Sequence, residues 1–511
     1  MTRLAELALA HLSLSLWALM LGAAISLPLG VAAARRPSLE RVVLGAASVI
    51  QTIPGLALLA VMVPALASFA TVGLELPAIG ALPAVLGLTL YSLLPMLRNT
   101  VVGLSEVDPA VKEAARGVGM TPRQQLRLVE LPLALPVIVA GLRTATVWTV
   151  GMATLATPIG ASSLGDLIFA GLQTRDHRAV LLGCVASAGL ALGLDGLIRA
   201  IERGVRRRRR ALWIPATVVL GGLCAHALAS PVIGAFGGPR PVRIGAKPFT
   251  EQYVLGELLA QRIERETDRE PRVLRSLGSH VAFDALVAGD LDLYVEYTGT
   301  VWTAQMGREA PPADRAALAA EVERWLRETH GVVVVARLGF ENAYALAARA
   351  PSDGGPSVDT IGQLAARAPD LTVAGDYELF RRGEWRALES TYGLRFAEER
   401  TMDPALLYEA LAAGEVDVIG AYTTDGRLAA HHLRVLEDER GAIPPYDAVI
   451  LANRDFAAAS PEVITALRAL DGALDDEAMR ALNRAVDLEG EPPEAAARAW
   501  LDARSTDARP R

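Results

Sequence analysis

The sequence predicts two unlike halves, an all-α membrane domain followed by an α/β domain of two lobes. Three observations predict it. Apolar stretches long enough to span a bilayer occur at roughly 8–34, 42–66, 76–97, 131–156, 178–199 and 211–235. Charge divides the chain: residues 1–240 hold 20 Lys+Arg against 11 Asp+Glu, a balance of +9, which leaves −16 for the rest of a chain whose total is −7. From Val242 the pattern changes to short apolar strands alternating with amphipathic helices. A length of 511 residues exceeds one ordinary core, and 52% hydrophobic beside 21% charged residues suits a membrane part joined to a soluble part.

The loops orient the spans. Arg35, Arg36 and Arg41 follow span one. Arg98, Lys112, Arg116, Arg123 and Arg127 follow span three, and Arg199, Arg203 and the run Arg206 to Arg210 follow span five. If six spans alternate, all three basic loops share one side, which the positive-inside rule makes cytoplasmic. Both termini then lie outside. The first stretch has a single basic residue, Arg3, ahead of it, no small-residue cleavage site and five more spans after it, so it reads as a span rather than a signal peptide. The expected domains are 1–205 with five spans and a long cytoplasmic loop at 99–130, then 206–241 with the basic loop, sixth span and linker, then 242–511. Arg143, inside span four, is expected near an interface or a translocation path, or as a packing residue near the membrane boundary.

Several chemistries find no support. Cys184 and Cys224 lie in apolar runs and read as small hydrophobes. The seven histidines show no metal-ligand spacing, and the adjacent His431 and His432 read as surface residues. No G-x-x-x-x-G-K-[ST] occurs, so no phosphate-cradling loop is expected, and no bound cofactor.

The soluble half echoes itself. FDALVAGDLDLYVEYT (283–298) and YEALAAGEVDVIGAYT (408–423) align without gaps, with seven of sixteen residues identical. Each reads as a helix, a glycine stop, a short strand and a Tyr-Thr pair at the strand's carboxyl end. Ligands of open α/β sheets bind outside those ends, so two lobes are expected to offer a tyrosine each to one cleft.

Residues 113–132, EAARGVGMTPRQQLRLVELP, set E-A-A, three residues, G, nine residues and V-x-L-P in the long cytoplasmic loop. This resembles the coupling loop of bacterial ABC importer permeases, where a short helix docks into the ATPase subunit. The resemblance places Glu113, Ala114, Ala115, Gly119, Leu131 and Pro132 in that role. With QTIPGLALL (51–59), LLPMLRNTVVGLSEVDP (93–109), ELPLALPVIVAGLRTA (130–145) and IGASSLGDLI (159–168), residues 10–205 resemble permeases for glycine betaine, carnitine and choline. The implied partners are a separate ATPase subunit in two copies, a second copy of this chain, and the bacterial cytoplasmic membrane, with no nucleic acid.

In order, IGAKPFTEQ (244–252), YVEYTGTVW (294–302), ENAYAL (341–346), DYELFRR (376–382), AYTTDGR (421–427) and IPPYDA (444–449) resemble extracytoplasmic binding proteins for quaternary-ammonium compounds. That implies a flytrap fold, with lobe one at about 242–345 plus 450–505 and lobe two at about 346–449. A trimethylammonium group has no N–H to donate, so ring faces must hold it. The family's motifs carry an aromatic cage onto Tyr297, Tyr344, Tyr422 and Tyr446. They place the partners of a ligand carboxylate at Lys247, Thr300 and Arg382, with Gln252 nearby. Lys247 is one of two lysines beside 48 arginines, and a compact ammonium suits a crowded site.

Three positions depart from the family's pattern. Ala246 stands for its usual Ser, Ala343 for its Thr, and the stretch after Arg382 lacks Asp-Gly. These changes reshape the pocket, so ergothioneine stands beside a glycine betaine-like zwitterion as a ligand, and choline or carnitine are further alternatives. The expected function is the membrane-spanning and binding subunit of an ATP-driven importer, catalysing no covalent reaction. A ligand-binding membrane sensor is the rival from another class, and an enzyme on the two-lobed fold the third.

Overall fold

The computed structural model describes residues 3–69, 76–174, 176–229, 241–308, 314–351, 354, 356–376, 379–402 and 404–507. They form two compact units that divide near residue 240.

In the first unit, five described helices are long and apolar enough to cross a membrane: Leu4–Ala33, Ala81–Ser105, Pro122–Ile159, His177–Arg206 and Arg210–Ala229. The end of the sixth expected span, 230–235, lies outside the described residues, as does the linker as far as residue 240. The second expected span is not one helix. It is the pair Pro37–Thr52 and Gly55–Leu66, bent by 102°. Pro54 causes the break, because it brings no N–H and pushes the residue before it out of helical backbone. Ile53 accordingly adopts φ −72° and ψ 128°. Its freed carbonyl accepts a hydrogen bond from the Tyr91 hydroxyl on helix Ala81–Ser105. Gly55 starts the second half at close quarters, since a Cβ there would lie 1.9 Å from Met152 Cε.

Arg143 finds its partners on a neighbouring helix. Its Nε donates to Asp195 Oδ1 at 2.7 Å and its Nη1 lies 3.5 Å from Glu202. Arg199 Nη2 reaches the same Asp195 at 3.0 Å. Four charges on two apolar helices therefore neutralise one another, as charges at membrane depth must.

The second unit holds two five-stranded sheets. Its strands are β1 (Val242–Gly245), β2 (Pro271–Leu274), β3 (Leu293–Tyr297), β4 (Val332–Glu341), β5 (Tyr344–Arg349), β6 (Thr372–Gly375), β7 (Glu398–Thr401), β8 (Val418–Tyr422), β9 (Leu433–Val435) and β10 (Asp447–Asn453). The first sheet runs β2-β1-β3-β10-β4 and the second β7-β6-β8-β5-β9. Each has three parallel strands followed by an antiparallel one. The sequence echo is thus a structural one. Strands β3 and β8 each take the third place, each after a helix stopped by a left-handed glycine, Gly289 at φ 75° and Gly414 at φ 78°.

Each sheet has its own core. The first is sandwiched with Leu255, Leu258 and Leu259 of helix Thr250–Glu266 and with Leu467, Leu474 and Met479 near the chain's end, all fully buried or nearly so. The second packs Trp385 and Leu388 on one face and Tyr408 and Leu411 on the other. The chain crosses between sheets twice, from β4 to β5 through Asn342 and Ala343, and from β9 back to β10 through 436–446.

Candidate functional site

The start of β5, the end of β8, the second crossing and the segment after β6 bring four of the eight expected ligand residues together: Tyr344, Tyr422, Tyr446 and Arg382. Tyr344 opens β5 and Tyr422 closes β8, and the antiparallel register sets them directly opposite. Directly paired residues on such strands hold their side chains side by side. The two rings lie 4.8 Å apart at a 44° tilt, and their hydroxyls are 3.0 Å apart. Tyr446, arriving at the end of the second crossing, meets Tyr344 edge-on at 6.2 Å. Room for it comes from Gly299, where a Cβ would lie 2.6 Å from the Tyr446 ring. Burial holds the Tyr422 and Tyr446 phenols well above their usual pKa, so both stay neutral.

Arg382 completes this cluster, its guanidinium 4.9 Å from the centre of the Tyr344 ring. Arg381 beside it is exposed, whereas Arg382 is half-buried. Arg382 precedes helix Gly383–Tyr392 in extended backbone, which lets its side chain turn back on Glu384, with contacts of 3.3 and 3.4 Å. Glu384 is buried and also accepts from the Tyr446 hydroxyl and, at 3.1 Å, from Thr303. Burial works against the Glu384 carboxylate, but Arg382 and the Tyr446 hydroxyl outweigh it and hold its pKa below the usual range.

Tyr297, the fourth expected cage residue, lies in one buried cluster with Tyr446, against which Tyr344 packs, and has further partners of its own. Its hydroxyl donates to Glu251 at 2.5 Å and receives Gln252 Nε2 at 3.1 Å. Its ring lies 4.8 Å from the Lys247 ammonium and 6.4 Å from the Phe249 ring. Gln252 also donates to the Val295 carbonyl, so its amide is used within the lobe. Thr300 is buried in the short turn Thr298–Thr300 that follows β3.

Lys247 has a partner inside the lobe. The sequence aims it at a ligand carboxylate, and in the structure its ammonium is paired with Glu296. Glu296 is fully buried on β3 and is held as well by the Tyr294 hydroxyl at 3.1 Å and the Tyr297 backbone N–H at 2.9 Å. A buried carboxylate in a central strand demands a cation, and Lys247 at the end of the adjacent β1 supplies it. Two ring faces and one carboxylate leave space for an ammonium on a thin stem, which accounts for lysine here in a chain with 48 arginines and one other lysine.

Glu251 is the residue that sequence reasoning missed. Fully within the protein, it accepts from Tyr297, from Thr424 at 2.5 Å, from Asn342 at 2.9 Å and from Asn483 at 3.1 Å. Those donors come from β3, from the segment after β8, from the first crossing and from helix Asp476–Asp487. One carboxylate therefore ties both lobes at the hinge. Burial raises its pKa, and the four hydrogen bonds only partly offset that. Its one signal was its place beside Gln252 in the motif already assigned to the ligand; the polar run Thr250-Glu251-Gln252 gives no hint in the sequence that the whole first turn is buried.

The expected coupling loop is exposed. Helix Pro109–Gly117 begins at Asp108, whose side chain accepts from Ala110 N at 2.8 Å. Glu113, Ala114, Gly119 and Pro132 are exposed, Leu131 is half-buried and Ala115 is buried. Gly119 has φ +82°, which favours glycine, with open space around it. Behind it, Glu130 is anchored to Arg35 at 2.9 Å and Gln125 at 2.8 Å.

Residues 240–503 match the family model described as the substrate binding domain of ABC-type glycine betaine transport systems. Residues 26–207 match that of the binding-protein-dependent transport system inner membrane component. The ergothioneine transport permease/ergothioneine binding protein of Helicobacter pylori (strain G27) is 30% identical over 464 residues, 88% of this chain and 81% of that protein. The choline transport system permease protein of Bacillus subtilis (strain 168) is 42% identical over 193 residues, 38% of this chain and 84% of that one. A crystal structure titled as a glycine betaine/carnitine/choline ABC transporter covers 52% of this chain and 98% of its own at 28% identity and a TM-score of 0.47.

Proposed function

We propose a quaternary-ammonium zwitterion as the cargo of this chain, which belongs to the ABC importer subunits that fuse a membrane permease to a glycine betaine-type binding domain. The chain is thus the membrane-spanning and substrate-binding part of an importer. The observation that carries the ligand class is the group Tyr344, Tyr422 and Tyr446 with Arg382 at its edge. Tyr446 is buried and Tyr344 and Tyr422 are half-buried, and their ring faces suit a cation that cannot donate a hydrogen bond. A guanidinium beside them suits a carboxylate on the same small molecule.

The cage and clamp are our assignment, with Tyr297, Lys247, Thr300 and Gln252 as the wall of the first lobe. Glycine betaine is the reference ligand. Ergothioneine is the second reading, supported by the relative that spans both domains and bears that name. Two copies of the chain, each permease lining half a pathway, would work with two copies of a separate ATPase docked at Glu113 to Gly119. The binding domain would face outward from a bacterial cytoplasmic membrane, and this chain would bind no cofactor.

The test is titration of the purified full-length chain with glycine betaine, proline betaine, carnitine, choline and ergothioneine. Saturable binding of at least one is expected. Heat flow from none of the five would overturn the ligand class, and chemical turnover of any would overturn the transport role.

A further inference from the structure

The clamp that should hold a ligand carboxylate already holds a carboxylate of the chain. Arg382 contacts both Glu384 oxygens, at 3.3 and 3.4 Å, and Glu384 is further bound by the Tyr446 hydroxyl and by Thr303. Its partners come from both sides of the cleft. Thr303 follows β3 and Tyr446 precedes β10, both of the first sheet, while Arg382 and Glu384 lie between β6 and β7 of the second. Lys247 is likewise matched by Glu296. Each cation assigned to a ligand carboxylate therefore has an internal counterion, and Asp376, 3.0 Å from the Tyr422 hydroxyl, adds a further acid.

The two internal pairs differ. Glu296 lies inside one lobe and is fully enclosed, so its pair with Lys247 is architectural. Glu384 bridges the lobes at the tyrosine cluster, where the Arg382 side chain keeps 19% of its exposure. It lies two residues after Arg382, in the stretch where the sequence lacks Asp-Gly.

We propose that Glu384 is an internal competitor for the carboxylate of the ligand: it neutralises Arg382 and spans the cleft from Arg382 to Tyr446 and Thr303. A zwitterion must take Arg382 from it, whereas a cation without a carboxylate has no need to. The residue then sets specificity. It holds down affinity for betaines relative to choline-like cations, and it lends the lobes a contact that does not depend on cargo. This rests on the quaternary-ammonium reading of the same cluster.

The experiment compares wild type with Glu384→Gln in the full-length chain, titrated with glycine betaine and with choline. Glutamine keeps the volume and removes the charge. The ratio of glycine betaine affinity to choline affinity is expected to rise about tenfold, the weight of one charge-assisted contact. Thr303→Val, which removes one donor to Glu384 along with the hydroxyl's 2.9 Å contact to the Gly299 carbonyl, serves as the second variant and is expected to move the ratio the same way by about two- to threefold. A ratio unchanged or lowered in either folded variant overturns the proposal. If wild type binds neither compound nor any of the three others named above, the ligand class fails and the proposal with it. If wild type binds and the ratio stays fixed, only the role of Glu384 is lost.

Discussion

Lys247 and Glu296 form an ion pair inside the first lobe, with side chains 6% and 0% exposed, under the faces of Tyr297 and Phe249. Removing one member of such a pair strands the other charge in the core. Lys247→Met is expected to cost roughly 3–5 kcal/mol of stability, and Lys247→Met combined with Glu296→Leu to recover most of it. Thermal or denaturant unfolding of the binding domain within the full chain measures both. A single variant as stable as wild type would remove the architectural role.

Glu251 predicts a pH dependence with a definite sign. Its folded pKa lies above the unfolded value, so the native state keeps a proton that the unfolded chain releases. Its contribution is full below the unfolded pKa and is lost as pH rises through the folded pKa. The stability of Glu251→Gln relative to wild type should therefore improve as pH increases from the ordinary glutamate range. Denaturant unfolding at a series of pH values checks this, and a difference that stays constant with pH would contradict it.

Much of this was legible in the sequence, because it is local. The helix–glycine–strand echo, the basic loops and the coupling spacing are patterns of neighbouring residues, and their elements lie where period and stop signals put them. Pairings between distant residues were not legible. A glutamate in the apolar strand LYVEY needed a cation, and a chain with two lysines offered a short choice, yet only the β1–β3 contact names Lys247. The break at Pro54 stands inside the quoted QTIPGLALL, but hydropathy sums across it and cannot see a bend. Glu384 follows Arg382 by two residues, a spacing that would not face it on a helix. Extended backbone at Arg382 makes the contact possible.

The broken span depends on one hydroxyl. Tyr91 caps the carbonyl that Pro54 leaves at Ile53. Tyr91→Phe leaves that acceptor without its donor, at about 1–3 kcal/mol. A lowered melting temperature of the detergent-solubilised chain, with ligand affinity unchanged, is the expected result.

The exposed loop predicts a separation of binding from transport. Glu113→Lys, or Gly119→Val at its φ of +82°, should abolish uptake by cells that express the importer with its ATPase. Ligand binding by the same variants should match wild type. A sensor would retain its ligand response in both, so unchanged signalling with no uptake at all, even in wild type, would favour that rival.

The central claim is that the three clustered tyrosines hold the cationic head of the cargo. Its most direct test is the dissociation constant of glycine betaine for the full-length chain, measured by calorimetry in wild type and in Tyr422→Ala. A desolvated cation–π contact is worth about 2 kcal/mol, so binding should weaken roughly 30-fold. An unchanged constant in a folded Tyr422→Ala protein would contradict the account.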